Sequence, residues 1–141
     1  MTLKKLTIFN LFAVVFVTQG ISQASTEVEY LSQSFNTTEE KSAYYTRVFE
    51  EAEDNEFSAT VKDMKGSLRM TGTMVPLGDS MTEHGIFVYY YENGQVESEG
   101  YYEHGIKVGA WKRYTVKGSE RPDRYYKPES ANFIRHVMAG K

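Results

Sequence analysis

The sequence contains no cysteine, which excludes disulfide bonds and a lipoprotein-type lipid anchor. Any folded domain of this chain must therefore be stabilised by packing alone. For an exported protein, this composition suits a bacterial periplasm or cell surface better than a small disulfide-rich eukaryotic domain.

The chain also lacks an apolar run long enough to span a membrane. Its longest run, residues 6–17, follows Lys4 and Lys5 and is shorter than the roughly 20 residues that a membrane helix needs. With the small residues that end at Ala24, this pattern predicts a signal peptide over residues 1–24, cleaved near Ala24. We expect an exported protein, periplasmic or secreted; an uncleaved N-terminal anchor is the alternative.

Positive charge is scarce. The formal net charge is −3, and loss of the predicted signal peptide removes two lysines and no acid, which gives −5. A net acidic chain in which no basic patch is visible argues against a nucleic-acid partner. The same charge disfavours contact with an anionic membrane surface.

The sequence shows no motif that supports catalysis. It has no G-x-S-x-G segment, no phosphate-binding loop and no closely spaced histidine pair. We therefore predict no enzyme, no cofactor and no metal site. His84 and His104 each precede a glycine and could approach each other across adjacent turns, but we expect both to be solvated loop residues.

A repeat of 24 residues stands out against these absences. Glycines and aromatic residues, which fix turns and packing, agree between two successive segments, as in repeat arrays. The pairs are Gly85 and Gly109, Phe87 and Trp111, Tyr90 and Tyr114, Gly94 and Gly118, Tyr101 and Tyr125, and Tyr102 and Tyr126. Gly66 and Gly72 have the same six-residue spacing as Gly94 and Gly100, which indicates an older, degenerate copy.

The pattern predicts a series of β-hairpins over residues 57–126. The degenerate copy covers 57–75 and the clear copies cover 85–104 and 109–126, with a loop expected at 76–84. Asn93-Gly94 predicts a type I′ hairpin turn. Pro122 indicates that the last strand lies at an edge of the sheet.

The flanking segments differ in character. Residues 25–56 are acidic and predict one or two strands, at 27–31 and 42–49, although a helix over 38–50 is an alternative for the second. Residues 127–141 change to a helical period and predict a short C-terminal helix that covers the end of the sheet.

The repeated segment resembles the bacterial variant of the MORN repeat. The resemblance rests on Gly85-x-Phe87-x-x-Tyr90-Tyr91-x-Asn93-Gly94 and its continuation through Gly100, Tyr102, Gly109, Trp111 and Tyr114. Such repeats occur in YwqK-family antitoxin proteins and in envelope proteins of Bacteroidota. The resemblance implies an open antiparallel meander of successive hairpins with a binding or scaffolding role and no catalytic residues.

Tyrosines are the candidate binding residues. Phe87, Tyr89 and Tyr91 share one face of a strand, and Tyr89 and Tyr91 have no counterpart in the next copy, where Arg113 and Thr115 stand. Aromatics outside the repeat are better surface candidates, and tyrosine gives a large contact area with a polar tip. We therefore expect Tyr89 and Tyr91, with Tyr101, to contact another protein.

The function expected from these observations is a non-catalytic, exported protein-binding or scaffolding module of the cell envelope. Peripheral binding to a membrane surface is the first alternative, which the acidic charge disfavours. A hydrolase of envelope polymers is the second, and it would need two positioned carboxylates in a cleft.

Overall fold

The computed structural model describes residues 27–127, which form a single eight-stranded antiparallel sheet. Each strand pairs only with its neighbours in sequence, so the sheet is the open meander of hairpins that the sequence predicts. The predicted signal peptide and the predicted C-terminal helix lie outside the described residues. The strands are β1 (Glu27–Leu31), β2 (Tyr45–Glu51), β3 (Phe57–Asp63), β4 (Leu68–Leu77), β5 (Ser80–Tyr90), β6 (Val96–Glu103), β7 (Ile106–Tyr114) and β8 (Glu120–Tyr126).

The acidic N-terminal segment supplies β1 and β2, and both join the same sheet as the repeats. The alternative of a helix over residues 38–50, in place of the second strand, is wrong. Only a single 3₁₀ turn, Glu40–Ser42, precedes the strand, and a second, Glu53–Asn55, lies in the charged loop that follows it. Aromatic and β-branched residues in β2 favour the strand, and its pairing with two neighbours overrides the local helix-start signal.

The prediction of a loop at 76–84 is wrong, because most of these residues belong to strands. β4 runs to Leu77 and β5 starts at Ser80, so only Gly78 and Asp79 form the turn. The prediction rested on Pro76, Gly78 and Asp79, of which Pro76 lies in a strand although proline cannot donate to a ladder. The pairing of β3 with β4 ends at Met74, so β4 has no ladder on that side at Pro76, where a proline is tolerated.

Three hairpin loops share one backbone pattern. In each, residue i accepts from a glycine N–H three positions on, and its own N–H donates to the carbonyl of residue i+4. The glycine alone has positive φ, with values of 89° at Gly66, 83° at Gly94 and 82° at Gly118. These are three-residue loops with a glycine at the left-handed position. The predicted type I′ turn at Asn93-Gly94 is therefore wrong, because Asn93 does not have positive φ.

A two-residue turn with positive φ at both positions occurs instead between β6 and β7. His104 has φ 47° and Gly105 has φ 83°. Histidine is one of the side chains that tolerates this region better than most. The turn packs against β5, since the Gly105 N–H donates to the carbonyl of Glu83 at 2.7 Å.

A row of small residues interrupted by large aromatic ones crosses one face of the sheet. Phe49 opposes Ala59, Ala59 opposes Gly72, and Gly72 opposes Phe87, with Gly100 next in register. We call this face the core face.

Aromatic rings lie flat over the glycines of this row. A Cβ added to Gly72 would lie 2.4 Å from the ring of Phe87, and one added to Gly100 would lie 2.3 Å from the ring of Trp111. Phe87 is 0% exposed and Trp111 is 2% exposed, although the described residues form only one layer of sheet. Each aromatic ring is therefore buried by lying over the glycine of the preceding strand. This explains why Phe87 and Trp111 repeat at 24 residues.

Candidate functional site: a basic groove on the core face

A groove with a volume of about 210 Å³ lies on the core face near the end of the sheet formed by β6, β7 and β8. We call it the basic groove, because four of its side chains are lysine or arginine and a single one is acidic. Its lining residues are Tyr91, Glu97, Ser98, Lys107, Trp111, Arg113, Arg121, Arg124 and Tyr126.

Lys107 is held at one end of the groove by aromatic rings. Its Nζ lies 4.0 Å from the ring centroid of Trp111. Three tyrosine rings, those of Tyr89, Tyr102 and Tyr126, have centroids 5.6 to 5.8 Å from the same atom. These distances fall within the range of cation–π attraction. The rings therefore fix the ammonium group in place without neutralising its charge.

The three arginines come from β7 and β8. Arg113 lies directly opposite Arg121, and Trp111 lies directly opposite Arg124. The register between the two strands shifts between Trp111 and Arg113. Because of this irregularity, two β8 residues three positions apart both reach the groove, where strict alternation would separate them.

The acidic side chains of β8 line a different surface from the basic groove. Glu120 and Asp123 of β8 line a depression towards the other face, together with Lys112, Arg113 and Tyr114. There the Tyr114 hydroxyl donates to Glu99 at 2.9 Å, and this hydrogen bond raises the pKa of Tyr114. The two acids of β8 thus line this depression and not the groove, whereas Arg113 borders both.

The predicted binding tyrosines occupy three different environments. Tyr91 lines the basic groove, and its hydroxyl donates to the Tyr114 carbonyl at 2.9 Å. Tyr89 packs against the core, with its hydroxyl 3.1 Å from that of Tyr102, and its ring contacts Lys107. Tyr101 is exposed and lies near Ile86 and Lys112, away from the groove. Their partner role stays a prediction, and Tyr91 is the one placed in the groove itself.

Burial changes the acidity of the tyrosines below the groove. It raises the pKa of Tyr89 well above the usual value, and the hydrogen bond with Tyr102 acts in the same direction. The pKa of Tyr102 is also raised, mainly by burial. Both hydroxyls therefore stay protonated at neutral pH and serve as neutral hydrogen-bonding groups.

His84 and His104 do approach each other, as the sequence indicates. The ring centroids of His84 and His104 are 4.5 Å apart. The expectation of two solvated loop residues is wrong for His84, which lies in β5 and whose Nδ1 is buried without a hydrogen-bond partner in the described part of the chain. Across residues 27–127, no group of three or more His, Asp or Glu side chains is arranged to hold a metal.

No family model matches this chain, and neither does any curated protein or solved structure. Within residues 27–127 the helical elements are the two short 3₁₀ turns. Neither is long and apolar enough to cross a membrane.

The basic groove is the feature that sequence reasoning missed. The net charge suggested that no basic patch exists, and this is wrong for β7 and β8. Between residues 104 and 127, seven of nine charged residues are Lys or Arg. A charge count by segment gives that signal, whereas a count over the whole chain hides it.

Proposed function

We propose that this protein is a non-catalytic binding module that holds another protein through the basic groove. With the predicted signal peptide, its site of action is the cell envelope, in the periplasm or outside the cell. The observation that carries the proposal is the convergence in one concave site of Tyr91 and four cations from β7 and β8.

The composition of the groove supports binding rather than hydrolysis. Its single carboxylate is Glu97. Glycoside hydrolases generally use two carboxylates that flank the bond to be cleaved. Aromatic residues and arginine, by contrast, are the residues most enriched at the centres of protein interfaces.

The resemblance to MORN repeats points in the same direction. Repeat sheets present extended surfaces to partners, and their repeated residues are used for packing. In this chain Phe87 and Trp111 serve the core. Apart from Trp111 and Tyr126, the groove residues depart from the repeat, which leaves them free for recognition.

Capture experiments with matched variants test the proposal. Mature protein covering residues 25–141 is immobilised beside two variants, Tyr91→Ser with Arg124→Gln in the groove, and Tyr101→Ser with Lys112→Gln on the opposite face. Candidate partners from the envelope fraction are purified and their affinities measured by calorimetry. We expect at least one partner whose affinity falls about tenfold or more with the groove variant and less than about threefold with the opposite-face variant. Equal affinities for all three proteins would refute the proposal.

A further inference from the structure

The four cations of the basic groove have one electrostatic property in common, which is that none of them forms an ion pair with another described residue. Among the described residues, ion pairs within 4.0 Å involve Lys41, Arg47, Arg69 and Lys112 as the cations. Lys107 and the three groove arginines form none within that part of the chain. Positive charge is thus concentrated on one concave surface, where Glu97 is the single acidic side chain.

This arrangement costs stability. Like charges directly opposite each other on neighbouring strands are destabilising, and Arg113 faces Arg121 in that way. Lys107 adds a third charge on the same face. An anion in the groove would reduce this repulsion.

We propose that the basic groove binds carboxylate groups of an acidic polypeptide segment. This inference rests on the proposed function. Arginine suits this task because its planar guanidinium donates two parallel hydrogen bonds to a carboxylate. The Tyr91 and Tyr126 rings supply apolar walls for the side-chain stems.

The size of the groove limits the ligand. A volume of about 210 Å³ is below the roughly 300–1,000 Å³ of pockets that enclose a small molecule. The groove therefore takes a few acidic side chains of a larger partner and does not enclose a cofactor.

The rest of the molecule favours a short acidic segment over a long polyanion. Residues 27–103 contain 16 acidic and 5 basic residues, a net charge of −11, whereas residues 104–127 contain 7 basic and 2 acidic, a net charge of +5. A nucleic acid or an anionic membrane that extended past the groove would meet this negative surface. A short peptide segment stays within the positive region.

The test measures binding of a fluorescently labelled hexaglutamate peptide to the mature protein by anisotropy. We expect saturable binding that weakens as salt is raised, because charge attraction is screened. A hexaglutamine peptide of the same length should bind at least about tenfold more weakly.

Two charge-matched variants locate the site. Arg113→Gln with Arg121→Gln removes two positive charges from the groove, and Lys112→Gln with Lys117→Gln removes two from the other face and the β7–β8 turn. The first pair should weaken hexaglutamate binding about tenfold or more, and the second less than about threefold. An equal loss with both pairs would mean attraction to net charge only, and would overturn the site.

Competition identifies the chemical source of the anion. Inorganic phosphate, single-stranded DNA and vesicles with anionic lipid are each added to the preformed complex at constant ionic strength. Failure of all three to displace hexaglutamate at equal charge concentration supports the assignment, and displacement by any of them at lower charge concentration overturns it.

The two proposals fail in different ways. A partner that needs Arg124 but is not displaced by hexaglutamate would leave the binding module intact and refute the carboxylate chemistry. If no partner depends on the groove and hexaglutamate does not bind, both proposals are refuted.

Discussion

Tyr89 shows how a single residue links the core to the basic groove. Its ring packs between Phe87 and Trp111, with centroids 6.5 Å and 6.2 Å away, and also contacts Lys107. Its hydroxyl shares a hydrogen bond with Tyr102. The sequence indicates Tyr89 as a candidate binding residue because the next copy of the repeat has an arginine at that place. The structure gives that departure a role below the groove, since Tyr89 supports the lysine.

Protonation of Tyr89 should make the fold sensitive to high pH. Burial raises the pKa of Tyr89 in the folded protein, whereas in the unfolded chain a tyrosine ionises near about pH 10. Its contribution to stability is therefore complete below about pH 10 and is lost as the pH rises from there towards the folded value. We expect the free energy of unfolding, measured with denaturant from pH 8 to 11, to fall more steeply for the wild type than for Tyr89→Phe.

The matched control for this titration is Tyr125→Phe. Tyr125 is 66% exposed, so its hydroxyl keeps its contact with water on folding. Its replacement should leave the alkaline slope of the wild type unchanged. If Tyr89→Phe and Tyr125→Phe give the same slope, another group is responsible for the alkaline loss.

At the scale of strands, the contact between an aromatic ring and a glycine packs β7 against β6. An alanine at Gly100 would place its Cβ 2.3 Å from Trp111, and that ring is confined by Tyr102 and Tyr126 at its edges. Overpacking of a tight core costs about 1–3 kcal/mol. We therefore expect Gly100→Ala to lower the free energy of unfolding by that amount in denaturant titrations.

A double-mutant cycle separates this overpacking from simple backbone strain. In a Trp111→Leu background, Gly100→Ala should cost less, because the flat ring is gone. Gly66→Ala is the control, since Gly66 has φ +89° and no atom near an added Cβ, so its cost is backbone strain alone. That cost should be the same with and without Trp111. Additivity at Gly100 would rule out the ring contact as the cause.

Sequence reasoning at this scale succeeded where one residue type has one physical role. Gly66, Gly94 and Gly118 marked hairpins, because their left-handed backbone favours glycine. It failed at Pro76, whose tolerance depends on where the neighbouring strand ends, and at Asn93, whose conformation depends on a loop of three residues instead of two. Both errors come from pairing partners that a single segment of sequence does not show.

For the molecule as a whole, the candidate site could be predicted only in part. Tyr91 was found because it interrupts a visible repeat. A charge count over residues 104–127 indicates a basic segment, but the convergence of its arginines depends on the register shift between β7 and β8, which follows from tertiary pairing. Cross-strand neighbours such as Arg113 and Arg121 can be assigned only once that register is known.

The linear order of the sheet predicts an uneven distribution of stability. Because each strand pairs only with its sequence neighbours, local opening at one end need not disturb the other. Fully buried side chains are concentrated in β3, β4 and β5, whereas every side chain of β8 except Tyr126 is exposed. Hydrogen exchange followed by mass spectrometry should therefore show the slowest amide exchange in β3–β5 and the fastest strand exchange in β8. Protection of β8 equal to that of β4 would contradict this distribution.

This gradient has a consequence for binding, because β8 carries Arg121 and Arg124. A strand that opens locally loses its place in the groove, so a ligand that contacts it must shift it towards the closed, paired state. Saturating hexaglutamate should slow amide exchange in β7 and β8 and leave β3–β5 unchanged, and the effect should disappear in Arg113→Gln with Arg121→Gln. Slower exchange across all eight strands would instead indicate general stabilisation by the anion, with no preference for the groove.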